Sequence, residues 1–322
     1  DRDRAGGSSR PAGPISRAAN PVPTGRRGSC GDRRSAAVTM TALLSRVAES
    51  IFWIGRYIER AEGTARILDV AVHHALEEPG RQGRNAAGRV LGVMGLSLEE
   101  PDPDFWLVTE LLAHDESSRS SIAGAIRGAR DNARTVRHVL PSELWERINA
   151  TWVAMGVQRE LTTRAGPSSY LSFVKHQTAA ITGLADTTMS RDQTWLFFTL
   201  GRALERTDLT ARQLGALPFE EITESGLVTL LRSCGGHEPY LRQAHGIVEL
   251  EGVIDFLLRD RLFPRSAFAS LVLAEDCVAQ LGSIGPGSWD EARGLLGLAR
   301  AELEFVPPVG LLVDLPTRLA DL

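Results

Sequence analysis

A chain of 322 residues, 43% hydrophobic and 24% charged, is long enough to bury a real core and reads as a soluble globular protein. Cys30, Cys234 and Cys277 are its three cysteines, with no close pair, which argues against a disulfide framework or a zinc knuckle. No run of about 18 uninterrupted apolar residues occurs, so no membrane span is expected. The net charge of −4 conceals a balance of +5 in residues 1–39 over a remainder of −9, too acidic for a nucleic-acid binder.

Residues 1–39 are rich in Gly, Ser, Pro, Ala and Arg without periodicity, which predicts disorder. They hold no apolar h-region of a secretory signal, and the expected location is cytoplasmic. Met40 stands directly before the first patterned residues, so translation is expected to start there, with residues 1–39 upstream of the native product.

From Thr41 to about Glu78 the pattern is helical. Ile51, Ile54, Ile58, Ala61, Ala65, Leu68 and Val72 alternate spacings of 3 and 4, the seam of a packed helix. Pro79-Gly80 is the expected stop. This helix carries Gly55-Arg56-Tyr57-Ile58-Glu59-Arg60-Ala61-Glu62-Gly63-Thr64-Ala65-Arg66-Ile67-Leu68, which recurs from Gly201 to Leu214 with eight of fourteen positions identical at an offset of 146. The same offset relates Leu111-Leu112, Arg119-Ser120 and Ala123 to Leu257-Leu258, Arg265-Ser266 and Ala269. The pattern predicts two duplicated halves, about 42–165 and 188–304, within a body spanning 40–306.

Further helices are expected near 83–97, 103–114, 117–139, 142–164, 168–189, 191–216, 222–234, 238–259, 265–283 and 288–304. Ser142 after Pro141 is a candidate N-cap, and Ser120 and Ser266 read as helix-start residues. The second Gly-Arg helix repeats the seam as Phe197, Leu200, Leu204, Thr207, Ala211 and Leu214, with Pro218 as its stop; Ala61, Ala65 and Ala211 would let another helix come close. No alternating β-branched run appears between turn signals. The fold class is all-α, a helical bundle, with residues 307–322 a tail forming a loop and a short turn.

At about 100° per residue, Glu59, Glu62 and Arg66 fall on one flank of the seam, and Arg56 and Arg60 nearly opposite it. The second copy places Glu205, Asp208 and Arg212 on the flank and Arg202 and Arg206 behind. Glu62 with Arg66, and Asp208 with Arg212, are i,i+4 pairs worth about 0.2–0.5 kcal/mol each on an exposed helix. The leading reading is a set of ion pairs locking two helices together. A second makes Arg56, Arg60, Arg66, Arg202, Arg206 and Arg212 a surface for a ligand or an acidic partner. A third uses Glu59, Glu62, Glu205 and Asp208 as acid–base groups or metal ligands; di-iron bundles use Glu-x-x-His, and no histidine follows at i+3 here. No metal and no cofactor is expected, since no P-loop, dinucleotide fingerprint or HExxH occurs. His73-His74 reads as a C-terminal dipole partner, His237 and His245 offer no ligand triplet, Arg130-Asp131-Asn132-Ala133-Arg134 reads as structural, and Trp145 and Trp152 read as core.

These residues resemble the alpha-E family, a bacterial helical family named for a Glu-Arg motif. The likeness runs from Met40 to about Leu303. It includes Leu44-Ser45-Arg46-Val47-Ala48-Glu49-Ser50, Trp53, Gly55-Arg56, Glu59-Arg60-Ala61-Glu62, Ala129-Arg130-Asp131-Asn132-Ala133-Arg134, Leu144-Trp145, Thr188-Met189, Arg191, Glu205-Arg206 and Phe263-Pro264-Arg265-Ser266. Asp131, where glutamate is expected, and Thr207, where alanine is usual, are mild departures. The resemblance brings no established activity. It implies a setting beside circularly permuted ATP-grasp ligases and transglutaminase-like proteins, with this chain a helper, scaffold or substrate-binding subunit in making or modifying a peptide or amide. The alternative it leaves is an enzyme of the same pathway, with the carboxylates in a cleft between the halves.

Overall fold

The structure, a computed structural model, describes residues 43–77, 81–96, 103–217, 222–284 and 289–305. The expectations for residues 1–39, Met40, Pro79-Gly80, Pro218 and the 307–322 tail lie outside these residues. The described chain is all-α, with no strand among the described residues. Its helices are α1 (Ser45–Glu77), α2 (Arg81–Val93), α3 (Phe105–Thr109), α4 (Ile122–Thr135), α5 (Ser142–Ala165), α6 (Ser168–Thr188), α7 (Gln193–Gly215), α8 (Glu224–Ser233), α9 (His237–Gln243), α10 (Leu250–Arg259), α11 (Ala267–Ile284) and α12 (Asp290–Phe305).

The 33-residue α1, about 50 Å long at 1.5 Å per residue, is the axis of the fold. Its predicted seam is sealed, from Ile51 to Val72, because α4 and α6 cover it. A different face of α1 meets α7, and α7 in turn packs on α11. The α7 seam is less closed than expected: Phe197 and Leu204 are only half-buried. Phe197 and Leu200 instead line a cavity of about 450 Å³ with Phe52, Leu281 and Trp289. The interior falls into a cluster built mainly from α1 to α6, one from α8 to α12, and a smaller one joining Leu196, Leu200 and Ala203 to α11.

Several boundaries differ for local reasons. The expected helix at 238–259 is two helices, because α9 ends with His245 and Gly246 both at positive φ, a left-handed stop. After α3 the chain adds a π-helical turn, Glu110–His114, inside the predicted 103–114 helix. Ser142 is the first residue of α5 and not its cap; Pro141 holds that position without a side-chain bond. The cap of α4 is Ser121 and not Ser120: its Oγ accepts from Gly124 N–H and donates to the Asp115 carbonyl. Ser266 does the same for α11, accepting from Ala269 N–H at 3.0 Å and donating to the Asp260 carbonyl. Matching caps therefore stand 145 residues apart, one fewer than the offset of the Glu-Arg helices. Trp145 and Trp152 lie at the edge of the core, partly buried.

Candidate functional site

Helices α1 and α7 cross where each has a glycine. A Cβ on Gly55 would lie 2.1 Å from the Phe198 carbonyl oxygen, and one on Gly201 would lie 2.1 Å from that of Phe52. No side chain fits there, so the backbones touch.

One turn beyond the crossing, each helix sends a glutamate toward the other. Glu59 is 1% exposed and accepts from Arg206 in a fork, Nε to Oε1 at 2.9 Å and Nη2 to Oε2 at 2.8 Å. Arg202 Nε lies 3.3 Å from Oε2, and Arg265 Nη1 from the start of α11 lies 3.2 Å from Oε1. The reverse pairing is the same: Glu205, also 1% exposed, takes Arg60 Nε at 2.5 Å and Nη2 at 2.8 Å, and Arg56 Nε at 2.7 Å. Each Glu-Arg dipeptide thus binds the arginine of the other. The remaining N–H groups of the forks reach backbone carbonyls at the starts of α4 and α11, Arg60 to Arg119 at 3.3 Å and Arg206 to Pro264 at 2.9 Å.

The electrostatics follow from this geometry. Burial alone would raise the Glu59 pKa, but Arg206, Arg265 and Arg202 outweigh it and hold the carboxyl well below its ordinary range. Burial likewise works against the charge of Arg60 and Arg206, and the facing carboxylates Glu205 and Glu59 reverse it, raising both pKa values. For Arg202 burial prevails and its pKa falls despite Glu59. The aromatic neighbours take the guanidinium faces: Tyr57 stands 5.7 Å from Arg60 and 5.6 Å from Arg119, and Phe198 stands 5.7 Å from Arg202.

A second reciprocal layer surrounds the first. Glu62 accepts from Arg66 at 2.8 Å and from Arg265, while Asp208 accepts from Arg212 at 2.7 Å, with Arg56 Nη2 at 3.7 Å. Gly235, just past α8, has φ +70°, and a Cβ there would sit 3.3 Å from Arg66 Nη1. Gly95, just past α2, has the same φ and the same 3.3 Å relation to Arg212. Both helices end in paired 6→1 and 5→2 backbone bonds, Leu96 to Leu91 with Gly95 to Gly92, and Gly236 to Leu231 with Gly235 to Arg232. Arg66 and Arg212 therefore lie against negative helix ends, where a cation is favoured.

All ten sequence candidates converge on this double layer, though not on the faces the helical wheel assigned. Arg56 and Arg60 do not stand on a solvent face opposite the seam; their stems curl toward α7, leaving side chains 22% and 17% exposed. Glu59, Glu62 and Glu205 are buried, while Asp208 and Arg212 remain partly open. The four carboxylates separate into two arginine-bound groups, and among the described residues no three His, Cys, Asp or Glu side chains cluster as metal ligands. Sequence reasoning gave no site role to Arg119, Arg265, Tyr57, Gly95 or Gly235; Arg119 and Arg265 were matched to each other at an offset of 146, a register that the carbonyls met by Arg60 and Arg206 do not keep. His73 bonds back to the Asp69 carbonyl at 2.6 Å within α1, and Arg130 Nε donates to Asn149 at 2.8 Å, tying α4 to α5.

A family model for Alpha-E, described as a predicted alpha-helical domain with a conserved ER motif, matches residues 43–322. The chain belongs to the Alpha-E family. Two of the three Glu-Arg dipeptides of this Alpha-E chain, Glu59-Arg60 and Glu205-Arg206, bind each other. Similar proteins include uncharacterized proteins of Mycobacterium bovis and Mycobacterium tuberculosis, each 24% identical over 296 residues. Those residues cover 81% of this chain and 32% of either relative, so the chain spans about a third of the relatives' length. No solved structure matches it.

Proposed function

We propose that this Alpha-E chain is a non-catalytic helical partner of an ATP-grasp-type peptide or amide ligase system, in which a transglutaminase-like protein also takes part. The observation that carries the reading is that the ER carboxylates are sealed while the arginines around them are in excess and partly open. Glu59 and Glu62 face Arg66, Arg202, Arg206 and Arg265, whose side chains are 11–29% exposed. On a body of net charge −9, such a spot favours an acidic segment of a partner. The catalytic alternative needs a carboxylate that substrate can reach; Glu59 and Glu205 are reached only by separating α1 from α7, Glu62 is buried, and Asp208, the partly open one of the four, is bound by Arg212. The two described cavities are lined by other residues.

The reciprocal bonds also support descent of the two ER helices from one duplicated unit, the one-residue difference at Ser121 and Ser266 being a residue gained in one copy or lost from the other. An ATP-dependent partner acts where ATP is held, so the reading includes a cytoplasmic location.

The test is affinity purification of the tagged chain from native extract, beside an Arg66→Gln/Arg265→Gln variant whose fold is confirmed by circular dichroism. Recovery of an ATP-grasp-type ligase with wild type, and its loss with the variant, is the expected result. Wild type that recovers no ligase overturns the proposal.

A further inference from the structure

The cavity of about 450 Å³ lies where the starts of α1 and α7 meet the end of α11 and Trp289, the residue before α12. Phe52, Phe197, Leu200, Leu281 and Trp289 make most of its wall, with Phe197 and Trp289 in contact at 6.0 Å between ring centroids. Its volume falls within the roughly 300–1,000 Å³ of sites for small organic ligands. Two polar side chains, Gln193 and Glu49, also line it.

Gln193, the first residue of α7, is 6% exposed, and a hydrogen bond fixes which way its amide points. Oε1 accepts the Leu43 N–H at 2.8 Å, and Leu43 itself belongs to the cavity wall. The other end of the amide, Nε2, carries two N–H donors. It makes no hydrogen bond among the described residues, and it is not sealed from its surroundings as Trp195 Nε1 is. A largely buried amide with donors unused is costly unless an acceptor arrives. Glu49 lies on α1 in the turn before Phe52; it is exposed and forms no ion pair among the described residues. It brings an uncompensated negative charge to the cavity, on a body of net charge −9 that already draws cations.

An apolar wall, a free carboxylate and a free amide donor together suit one chemistry, an ammonium next to a carbonyl on an apolar side chain. We infer that this cavity binds the amino end of an apolar amino-acid amide, or of a peptide whose first residue is apolar. Glu49 takes the ammonium, Gln193 Nε2 donates to the adjacent carbonyl oxygen, and the side chain enters between Phe197, Leu200 and Leu281. The site is separate from the ER layer and does not depend on the partner reading.

L-Leucinamide, N-acetyl-L-leucinamide and isopentylamine separate these contacts, since the second lacks the ammonium and the third lacks the carbonyl. The measurement is a titration of the full chain at about pH 6.5, below the pKa of an α-amino group, by proton–nitrogen correlation NMR. The side-chain amide of Gln193 and the indole N–H of Trp289 are the reporters. Leucinamide is expected to saturate with one site per chain and to shift both reporters. Isopentylamine is expected to bind at least threefold more weakly, and the acetylated amide at least tenfold. Glu49→Gln alters an exposed position, so the fold is kept, and it is expected to weaken leucinamide at least tenfold without changing the acetylated amide. Gln193→Met, with its fold checked by circular dichroism, is expected to erase the preference for leucinamide over isopentylamine. Leu-Gly-Gly amide separates the two sources: affinity within threefold of leucinamide assigns the site to a peptide end, and a loss of tenfold or more assigns it to a free amide. Absence of saturable leucinamide binding overturns the inference, as does binding that leaves both reporters unmoved or that Glu49→Gln does not weaken.

Discussion

Glu59 and Glu205 carry the largest consequences of any single side chain. Each is an ionised carboxylate out of water, and neutralising it leaves several arginines facing one another in a buried setting. Glu59→Gln and Glu205→Gln are each expected to lower unfolding free energy by about 3–5 kcal/mol, measured by urea denaturation. A loss under about 1 kcal/mol would mean that the pairs behave like surface ion pairs. The same residue sets a pH dependence. Glu59 has an ordinary pKa of 4.5 and a folded pKa far lower, so below about pH 4.5 the unfolded chain takes up a proton that the native chain refuses. Stability from this group is full at neutral pH and falls as the solution is acidified through that range. A shallower decline from about pH 5 to pH 3 in Glu59→Gln than in wild type would isolate the contribution, since Asp115 and Glu238, also held below their ordinary range, lose stability in both.

At the scale of an element, the crossing of α1 and α7 and the stops of α2 and α8 depend on glycine for different reasons. Gly55→Ala and Gly201→Ala insert a methyl group into a backbone carbonyl of the facing helix, and α1 cannot retreat without opening its sealed seam against α4 and α6. Each is expected to cost about 3 kcal/mol or more, the upper part of the range for overpacking. Gly235→Ala and Gly95→Ala instead place a Cβ in the left-handed region beside a guanidinium, and about 1–2 kcal/mol is the expected cost, read from thermal unfolding. The caps offer a comparison: Ser121→Ala and Ser266→Ala each remove one acceptor and one donor and are expected to lose about 1 kcal/mol, whereas Ser120→Ala is expected to be neutral. Equal losses at Ser120 and Ser121 would contradict the observed cap.

For the molecule as a whole, α11 shows how composition and environment diverge. Ala267–Ile284 is long and apolar enough to cross a membrane by length and composition, yet Phe268, Leu271, Ala274, Cys277, Val278 and Leu281 are buried against neighbouring helices. Cys277 and Cys234 are buried thiols, and burial pushes both pKa values up to about 12. A thiol reagent at neutral pH is therefore expected to leave both unmodified until the chain unfolds, with labelling mapped by mass spectrometry. Rapid labelling of either under native conditions would show that its packing opens locally.

The α1 seam was legible because spacings of 3 and 4 over seven apolar residues admit only a helix with one buried stripe. The likeness of the two Glu-Arg segments was legible as identity, and it named ten residues of the ER layer but not Arg265, which binds Glu59 and Glu62 from the start of α11. Helix existence and class followed from periodicity, and family membership from the motifs. What periodicity could not convey was the partner of each charge: Arg56 and Arg60 lie off the seam on a wheel, but long side chains bend, and only the glycine crossing brings Glu205 within their reach. The shift from Ser120 to Ser121, the break at His245 and the π turn at His114 are likewise invisible to an apolar pattern, because backbone hydrogen bonding and tertiary packing fix them. The sequence by itself determined an all-helical chain with two like-patterned Glu-Arg helices. That ion pairs lock these helices together was the leading reading of the sequence; the tertiary structure alone decided which arginine each carboxylate takes, since burial of a carboxylate depends on which cation the fold delivers to it.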